Sequence, residues 1–198
     1  EILKETVTAS DNNGCDILLR LVGGPQAVDQ YIKKLGITGM QIAVNEQQMH
    51  AEKDAQHQNW ATPVATTRLL RLFHDGRLLK PDSQEFLWAA MRDSVTAPGR
   101  LRSPLPAGTH LIHKTGTSDY SPRDGSTVND VGIIILPDGN PVFVSVLISG
   151  SKMSMMDTEK IIASVSGVAW DYFSQEKPGL SIKKTGKQLR ELIGIENP

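Results

Sequence analysis

The spacing of apolar residues changes near the middle of this chain, and that change narrows the folds it can adopt more than any other feature. In the first half, apolar residues recur every three or four positions, as on one face of an α-helix. Three such segments begin at a proline, a residue favoured in the first helical turn: Pro25, Pro63 and Pro81. The second half contains three β-rich runs, at residues 111–115, 131–136 and 142–148. The sequence therefore predicts helices followed by strands.

The last two β-rich runs predict a hairpin that is buried on both faces. Residues 137–140 read Pro-Asp-Gly-Asn, which is a turn signal between them. Successive positions in both runs are apolar, so each face of the resulting sheet needs a cover. Residues 161–172 carry apolar side chains at helical spacing and predict one covering helix.

Composition and charge exclude several classes of protein. The 198 residues carry a formal net charge of −1. Their basic residues are interspersed with acidic ones, without the basic stripe that a phosphate backbone requires, so we expect no nucleic-acid partner. Cys15 is the single cysteine, which excludes an internal disulfide and a zinc site built from paired cysteines. No apolar run approaches the ~20 residues of a membrane span.

Three short patterns contain residue types that catalysis uses, although each also has an ordinary structural explanation. Residues 10–12 read Ser-Asp-Asn just before a helix, where such residues commonly cap free N–H groups. Residues 114–116 read Lys-Thr-Gly at the end of an apolar strand, where a charged residue can simply enter a turn. Glu46 lies in a long irregular stretch, residues 45–59, which by default is solvated surface. Loops of this length inside compact domains are more often functional than idle, which favours a role for Glu46.

Taken in order, these patterns resemble class A serine β-lactamases. Ser-Asp-Asn followed by Lys-Thr-Gly is a signature of those enzymes and of penicillin-binding proteins. Other matching segments are Gly-Gly-Pro at 23–25, Leu-Pro-Ala-Gly at 105–108 and Asn-Asp at 129–130. The resemblance covers roughly residues 1–173.

Several segments are most similar to the PER-type extended-spectrum subgroup. They are Met-His at 49–50, Gln-Asn-Trp at 58–60, the long stretch 118–127 and Leu-Pro-Asp-Gly at 136–139. Most class A enzymes have an asparagine where His50 stands, and they close the Ω-type loop around Glu46 with an Arg–Asp pair. Val44 and Asn59 occupy those two places here. The resemblance therefore implies that the usual clamp of this loop is absent.

The resemblance implies an acyl-enzyme mechanism, in which a serine attacks the lactam carbonyl and water then releases the product. It assigns Glu46 as the general base for that water and His50 as a residue that places the water. Ser10 is implied to relay a proton to the departing lactam nitrogen. Lys114 is implied to lower the cost of charge on Ser10 and to attract the anionic substrate.

The same resemblance implies which residues hold the substrate. Asn12 is expected to hydrogen-bond the side-chain amide of the drug, and Thr115 and Thr117 its carboxylate. The backbone N–H of Thr117 is expected to be one oxyanion donor. Gly116 and Ser118 complete the substrate-binding segment. No metal and no cofactor are expected.

The fold that the resemblance implies is α/β of the α+β kind, like the serine β-lactamases and penicillin-binding proteins. Residues 1–96 are expected to form an all-α lobe that includes the Ω-type loop at about 45–59. Residues 97–174 are expected to form an α/β lobe with an antiparallel sheet and a C-terminal helix. Residues 175–198 read as a charged tail.

The nucleophile of the family belongs to a Ser-x-x-Lys segment well upstream of Ser-Asp-Asn, whereas only nine residues precede Ser10. The Ser-x-x-Lys pattern also occurs downstream, at residues 149–152, 174–177 and 181–184, and we attribute these matches to chance. A second Lys-Thr-Gly, at 184–186, is attributed to chance as well. We therefore expect this chain to be a C-terminal portion whose missing N-terminal portion is its partner, and the isolated chain to be inactive.

Two other functions fit the motifs. A penicillin-binding transpeptidase or carboxypeptidase shares both motifs but lacks a glutamate on an Ω-type loop, so Glu46 favours a β-lactamase. A non-catalytic relative that binds β-lactams or peptidoglycan stems reversibly is the second alternative. A periplasmic location follows from the family only, since residues 1–5 do not read as a signal peptide.

Overall fold

In the computed structural model, which describes residues 1–52 and 54–175, the first half of the chain is helical. Its helices are α1 (Ile2–Thr8), α2 (Asn12–Leu21), α3 (Pro25–Lys34), α4 (Glu46–Ala51), α5 (Pro63–His74) and α6 (Pro81–Arg92). The three prolines singled out in the sequence each stand at the start of a helix, where the missing N–H is not needed. The predicted helical half is confirmed.

The second half forms a three-stranded antiparallel sheet. Its strands are β3 (Leu111–Thr117), β4 (Ser126–Ile135) and β5 (Pro141–Ser151), in that spatial order. The turn predicted at 137–140 joins β4 to β5, and the Leu136 N–H donates to the Asn140 carbonyl oxygen at 2.9 Å. Two shorter strands, β1 (Met40–Gln41) and β2 (Trp60–Ala61), pair with each other earlier in the chain.

Helices cover the sheet on both faces, as its apolar pattern requires. Along β3, Leu111 contributes to one core and Ile112 to another, because successive side chains point to opposite faces. The first core includes Ile162 of α7 (Met155–Ser174), and the second includes Leu70 and Phe73 of α5. Complete burial of each such side chain contributes about 1.5–3 kcal/mol. The α+β architecture predicted from the sequence is confirmed.

Gly14 allows α1 and α2 to lie close together. A Cβ built on Gly14 would stand 2.3 Å from Thr6 Oγ1 of α1 and 2.9 Å from Asp11 Oδ2. Neither contact is possible for a real side chain. The absence of a side chain at this position therefore brings the start of α2, and with it the Ser-Asp-Asn motif, against α1.

The segment predicted as irregular, 45–59, contains more regular structure than its sequence indicates. It holds α4 and a short 3₁₀ helix, Ala55–Gln58. The side chain of Asn45 accepts from the Gln48 N–H while the Gln48 side chain accepts from the Asn45 N–H, which is a reciprocal capping box. These local hydrogen bonds explain a helix too short for an apolar period to reveal.

Most of the predicted charged tail lies outside the described residues, as do the Ser-x-x-Lys match at 181–184 and the second Lys-Thr-Gly. Of the earlier match at 149–152, Ser151 is buried and its hydroxyl hydrogen-bonds Thr158. Among the described helices, none has both the length and the apolar character needed to cross a bilayer.

Candidate functional site

Ser10 and Lys114 are 104 residues apart in sequence and touch in the folded chain. Lys114 Nζ donates to Ser10 Oγ at 2.5 Å and to the Thr115 carbonyl oxygen at 3.0 Å. Ser10 has φ +60°, in the left-handed region that costs non-glycine residues of order 1 kcal/mol or more. The two motifs therefore meet at one point, and the backbone of Ser10 is strained there.

Asp11, the middle residue of the first motif, caps helix α2. Its carboxylate accepts from the Asn13 N–H at 3.1 Å and the Gly14 N–H at 3.0 Å. The simple capping explanation is thus correct for Asp11. It leaves the neighbouring side chains free of that task, and Asn12 is exposed beside the cleft.

Glu46 begins helix α4, and Asp16 of α2 holds that end of the helix. Asp16 Oδ1 accepts from the Glu46 N–H at 2.8 Å, and Oδ2 accepts from the Gln47 N–H at 2.9 Å. A carboxylate at a helix N-terminus satisfies free N–H groups and complements the helix dipole. The backbone of Glu46 is therefore fixed to the same helix that follows Ser10.

The carboxyl group of Glu46 lies in an environment that favours its protonated form. Partial burial and the negative charge of Asp16 raise the pKa of Glu46, while His50 and Lys114 oppose that shift. Burial has the converse effect on Lys114 and lowers its pKa. Glu46 and Lys114 each influence the other's charge, so the two groups belong to one electrostatic site.

A cavity of about 750 Å³ opens beside this pair. Its walls come from α2 and α4 and include Asn12, Asp16, Glu46 and His50. His50 lies one turn after Glu46 on α4, and its side chain is exposed. Of the residues assigned from the sequence, Asn12, Glu46 and His50 line this cavity. Ser10 and Lys114 hydrogen-bond each other, and the charge of Lys114 acts on Glu46.

Asn59 stands in one of the two places that the resemblance assigns to an Arg–Asp pair, and its side chain bonds to the backbone. Its Oδ1 accepts from the Ala43 N–H at 2.8 Å and the Val44 N–H at 3.1 Å, and its Nδ2 donates to the Val44 carbonyl oxygen at 3.0 Å. An amide clamp on the backbone closes the base of the segment instead, beside the pairing of β1 with β2.

The end of β3 carries the predicted substrate-binding residues, and their hydroxyl groups already have partners. Thr115 is buried, and its Oγ1 lies 2.6 Å from Thr96 Oγ1. Thr117 is exposed, and its Oγ1 accepts from Arg100 Nη2 at 2.7 Å. Arg100 also donates to the carbonyl oxygens of Gly116 and Asn129 and pairs with Glu159 of α7 at 3.1 Å.

Ser118 closes the loop between β3 and β4. Its N–H donates to the Thr127 carbonyl oxygen at 2.9 Å, and its Oγ accepts from the Thr127 N–H at 2.8 Å. Farther along, Arg123 reaches back to Asp54 in the segment around Glu46, at 3.3 Å. The loop 118–127 therefore contacts the segment that carries Glu46.

One group of side chains has the chemistry of metal ligands among the described residues. Asp54, His57 and Asp124 place ligand atoms within 4.8 Å of one another, largely exposed to solvent. Arg123 already pairs with both carboxylates, which opposes the binding of a second cation. We assign no metal to it.

Asp16 and Arg100 were not recognised as site residues from the sequence. Asp16 follows Asn12 by four positions, so it lies on the same face of α2, and that spacing could have identified it. Arg100 is buried, with 3% of its side chain exposed, in a segment without periodic structure. Nothing local distinguishes it from a surface arginine.

Comparison with known proteins agrees with the geometry. A model of a family described as the beta-lactamase enzyme family matches residues 1–173. Beta-lactamase VEB-1 of Pseudomonas aeruginosa is 41% identical over 175 residues, which are 87% of this chain and 58% of that protein. Extended-spectrum beta-lactamase PER-1 of the same organism is 40% identical over 181 residues, covering 91% and 59%.

Solved structures give the same result. TLA-1 extended-spectrum beta-lactamase superposes with a TM-score of 0.86 at 42% identity, covering 88% of this chain and 63% of that one. A beta-lactamase from Chitinophaga pinensis gives 0.84 at 42% identity, covering 86% and 63%. The chain spans about three-fifths of the length of the relatives it matches. By its sequence and its fold, it belongs to the β-lactamase enzyme family as a class A member of the PER and VEB type.

Proposed function

We propose that this chain forms the deacylating and substrate-binding part of an enzyme that hydrolyses β-lactams through an acyl-enzyme. The observation that carries the proposal is the hydrogen bond between Lys114 and Ser10 together with the electrostatic interaction of that lysine with Glu46, which lines a cavity. A glutamate of raised pKa, and a partly buried lysine that donates to a strained serine, are the parts of an acid–base site.

Glu46 acts on the water that releases the product. It takes a proton from that water as the water oxygen bonds to the ester carbonyl carbon, and the ester bond to the nucleophilic serine then breaks as the proton is returned to the serine oxygen. Its raised pKa makes Glu46 a stronger base than a solvated glutamate. His50, one turn further along α4, borders the position of the water.

Ser10 and Lys114 act on the lactam nitrogen. As the ring C–N bond breaks, Ser10 Oγ passes its proton to that nitrogen and takes up the proton that the attacking serine releases, and the adjacent Lys114 cation stabilises the negative charge that develops on Ser10. The same cation attracts the substrate carboxylate. A charge-assisted contact of this kind is stronger than a neutral hydrogen bond.

The remaining residues orient the substrate. Asn12, exposed at the mouth of the cleft, binds the side-chain amide, and Thr117, held by Arg100, binds the carboxylate and supplies a backbone oxyanion donor. The Thr115 hydroxyl must exchange its contact with Thr96 for the substrate. Gly116 and Ser118 keep the backbone of β3 in register with these contacts.

The serine nucleophile comes from a further, N-terminal portion of the protein, which we propose as the partner of this chain. With it, a lobe (1–96) that is helical apart from the short β1–β2 pair and an α/β lobe (97–174) enclose the cleft. The relatives are longer than this chain, which supports that arrangement. The enzyme works in the periplasm, where it meets drugs directed at the cell wall.

The loop 118–127 widens the entrance for bulky oxyimino cephalosporins. Support comes from the extended-spectrum relatives PER-1 and TLA-1. An enzyme that turns over cefotaxime no better than benzylpenicillin would count against this substrate range.

The decisive experiment is intact-protein mass spectrometry of the complete enzyme after brief exposure to a cephalosporin. Wild-type protein is expected to acquire the adduct and clear it, whereas Glu46→Gln stays acylated. Glu52→Gln, which neutralises an exposed glutamate at the other end of α4, is the matched control and should clear its adduct like the wild type.

The other outcomes identify the alternatives. Persistent adduct on the wild type indicates a penicillin-binding transpeptidase or carboxypeptidase. No adduct on any variant indicates a non-catalytic relative that binds its ligand reversibly. Either outcome overturns the proposal of hydrolysis.

A further inference from the structure

A histidine and an aspartate are completely buried on the face of the sheet opposite to the Lys114 side chain. His113 is 1% exposed and Asp130 is 0% exposed. His113 Nδ1 lies 2.9 Å from Asp130 Oδ1 and 3.2 Å from Oδ2. Groups of this polarity are costly to bury unless they are fully paired, so their presence inside the protein calls for a physical reason.

The surrounding chain is shaped to hold this pair. Gly132 stands opposite His113 across the β3–β4 ladder, and a Cβ at Gly132 would lie 2.8 Å from that of His113. Asp130 Oδ2 also accepts from the Leu101 N–H at 3.2 Å, and the Leu101 carbonyl oxygen accepts from Ser166 of α7 at 2.7 Å. The carboxylate is thus fixed from two sides.

Asp130 is close to Lys114 in the sheet, but the two side chains lie on opposite faces of it. Asp130 pairs with Thr115 in the ladder, one residue from Lys114. Successive side chains alternate between faces, so Asp130 lies on the face of His113 while Lys114 points to the other. Asp130 is completely buried and therefore cannot contact a substrate, so its influence on Lys114 is electrostatic.

Other charged groups also act on Lys114. Burial lowers the pKa of this lysine, and Arg100 adds to that effect. Asp130 is the strongest of the groups that raise the pKa, followed by Cys15 and Glu46. Of these, Asp130 alone is wholly shielded from solvent, so salt and water screen its charge least.

We propose that Asp130 is a positioning residue for Lys114. Its buried carboxylate, held by His113 and the Leu101 N–H, keeps the Lys114 ammonium charged beside Ser10. The inference rests on the proposed function, because the charge of Lys114 matters there for acylation. The role is distinct from packing, since it depends on the charge of Asp130 and not on its shape.

The test compares Asp130→Asn with His113→Asn in the complete enzyme. Asp130→Asn keeps the shape and removes the charge, whereas His113→Asn disturbs the same buried pair and keeps the charge. The acylation rate is measured by stopped flow with nitrocefin from mildly acidic to alkaline pH, and thermal unfolding is followed in parallel. The ¹³C signal of the Lys114 ε-methylene, assigned with Lys114→Arg, reports the charge of the lysine directly.

In Asp130→Asn we expect the alkaline limb of the pH profile of acylation to move to lower pH, so that the acylation rate at high pH falls on the order of tenfold. The lysine signal should titrate at correspondingly lower pH. In His113→Asn the limb should stay near the wild-type position even though the melting temperature falls. An unchanged limb and an unchanged lysine titration in Asp130→Asn would overturn the proposal and leave the pair a structural role.

Two further outcomes are also decisive. If Asp130→Asn does not fold, titration of Lys114 in the wild type near neutral pH overturns the proposal, and retention of its charge well above neutral pH supports it. If the wild type is never acylated, the proposed function fails. The lysine titrations still decide the role of Asp130 in that case.

Discussion

Replacing Asn59 by alanine tests how the segment that carries Glu46 is held. The Asn59 side chain makes three hydrogen bonds to the backbone of Ala43 and Val44. A net contribution of about 1 kcal/mol for each predicts that Asn59→Ala loosens the segment by about 2–3 kcal/mol. Local opening should then increase roughly 30- to 150-fold, because each 1.4 kcal/mol is a factor of ten in an equilibrium constant.

Amide hydrogen exchange measures that opening. The Glu46 and Gln47 N–H groups are suitable reporters because their acceptor, Asp16, is untouched by the change. Gln41→Ala is the matched control, since it removes a single hydrogen bond, from Gln41 Nε2 to the Gln58 carbonyl oxygen, at the same base. Its expected effect is about 1 kcal/mol or less. Equal exchange in the two variants would refute the idea that Asn59 is the clamp.

Two more predictions concern the electrostatics of the site and the core. Because the charge of Asp16 raises the pKa of Glu46, Asp16→Asn should move the acidic limb of the deacylation rate to lower pH, as measured by acyl-enzyme decay across pH. Replacement of an exposed aspartate, Asp75→Asn, is the control. An acidic limb that stays in place or moves to higher pH in Asp16→Asn would contradict the prediction. Ile162→Ala should lower the free energy of unfolding by about 3–4 kcal/mol in urea titrations, because it leaves a cavity in the core under the sheet. Ile161 lies on the same helix and is 42% exposed, so Ile161→Ala should lower the free energy of unfolding by under about 1 kcal/mol. Similar losses in the two variants would mean that α7 is not packed as described.

The helices and strands could be predicted because their signals are local. A proline at a helix start and an apolar side chain every three or four residues act over one or two turns. The β4–β5 hairpin was equally readable, since its turn residues and flanking apolar runs are adjacent. The short α4 was missed because its stability comes from a capping box and from Asp16, thirty residues away, and not from an apolar face.

Only part of the candidate site could be predicted from the sequence. The motifs identified Ser10, Glu46 and Lys114, and their order indicated the family, but nothing in the local sequence shows that Lys114 reaches Ser10. Asn59 was recognised as a departure from the family pattern. That its amide closes the segment by itself required the positions of the backbone groups around it.

The sequence by itself determined the order of secondary structure, the faces that are buried and the motif residues, because these depend on neighbours within a few positions. Only the tertiary structure decided which distant groups share a charge environment. The shifted pKa values of Glu46 and Lys114 and the burial of Asp130 with His113 arise from packing across the sheet and between helices. Electrostatic energies depend on distance in space and on exclusion of water, and neither can be deduced from the order of the residues alone.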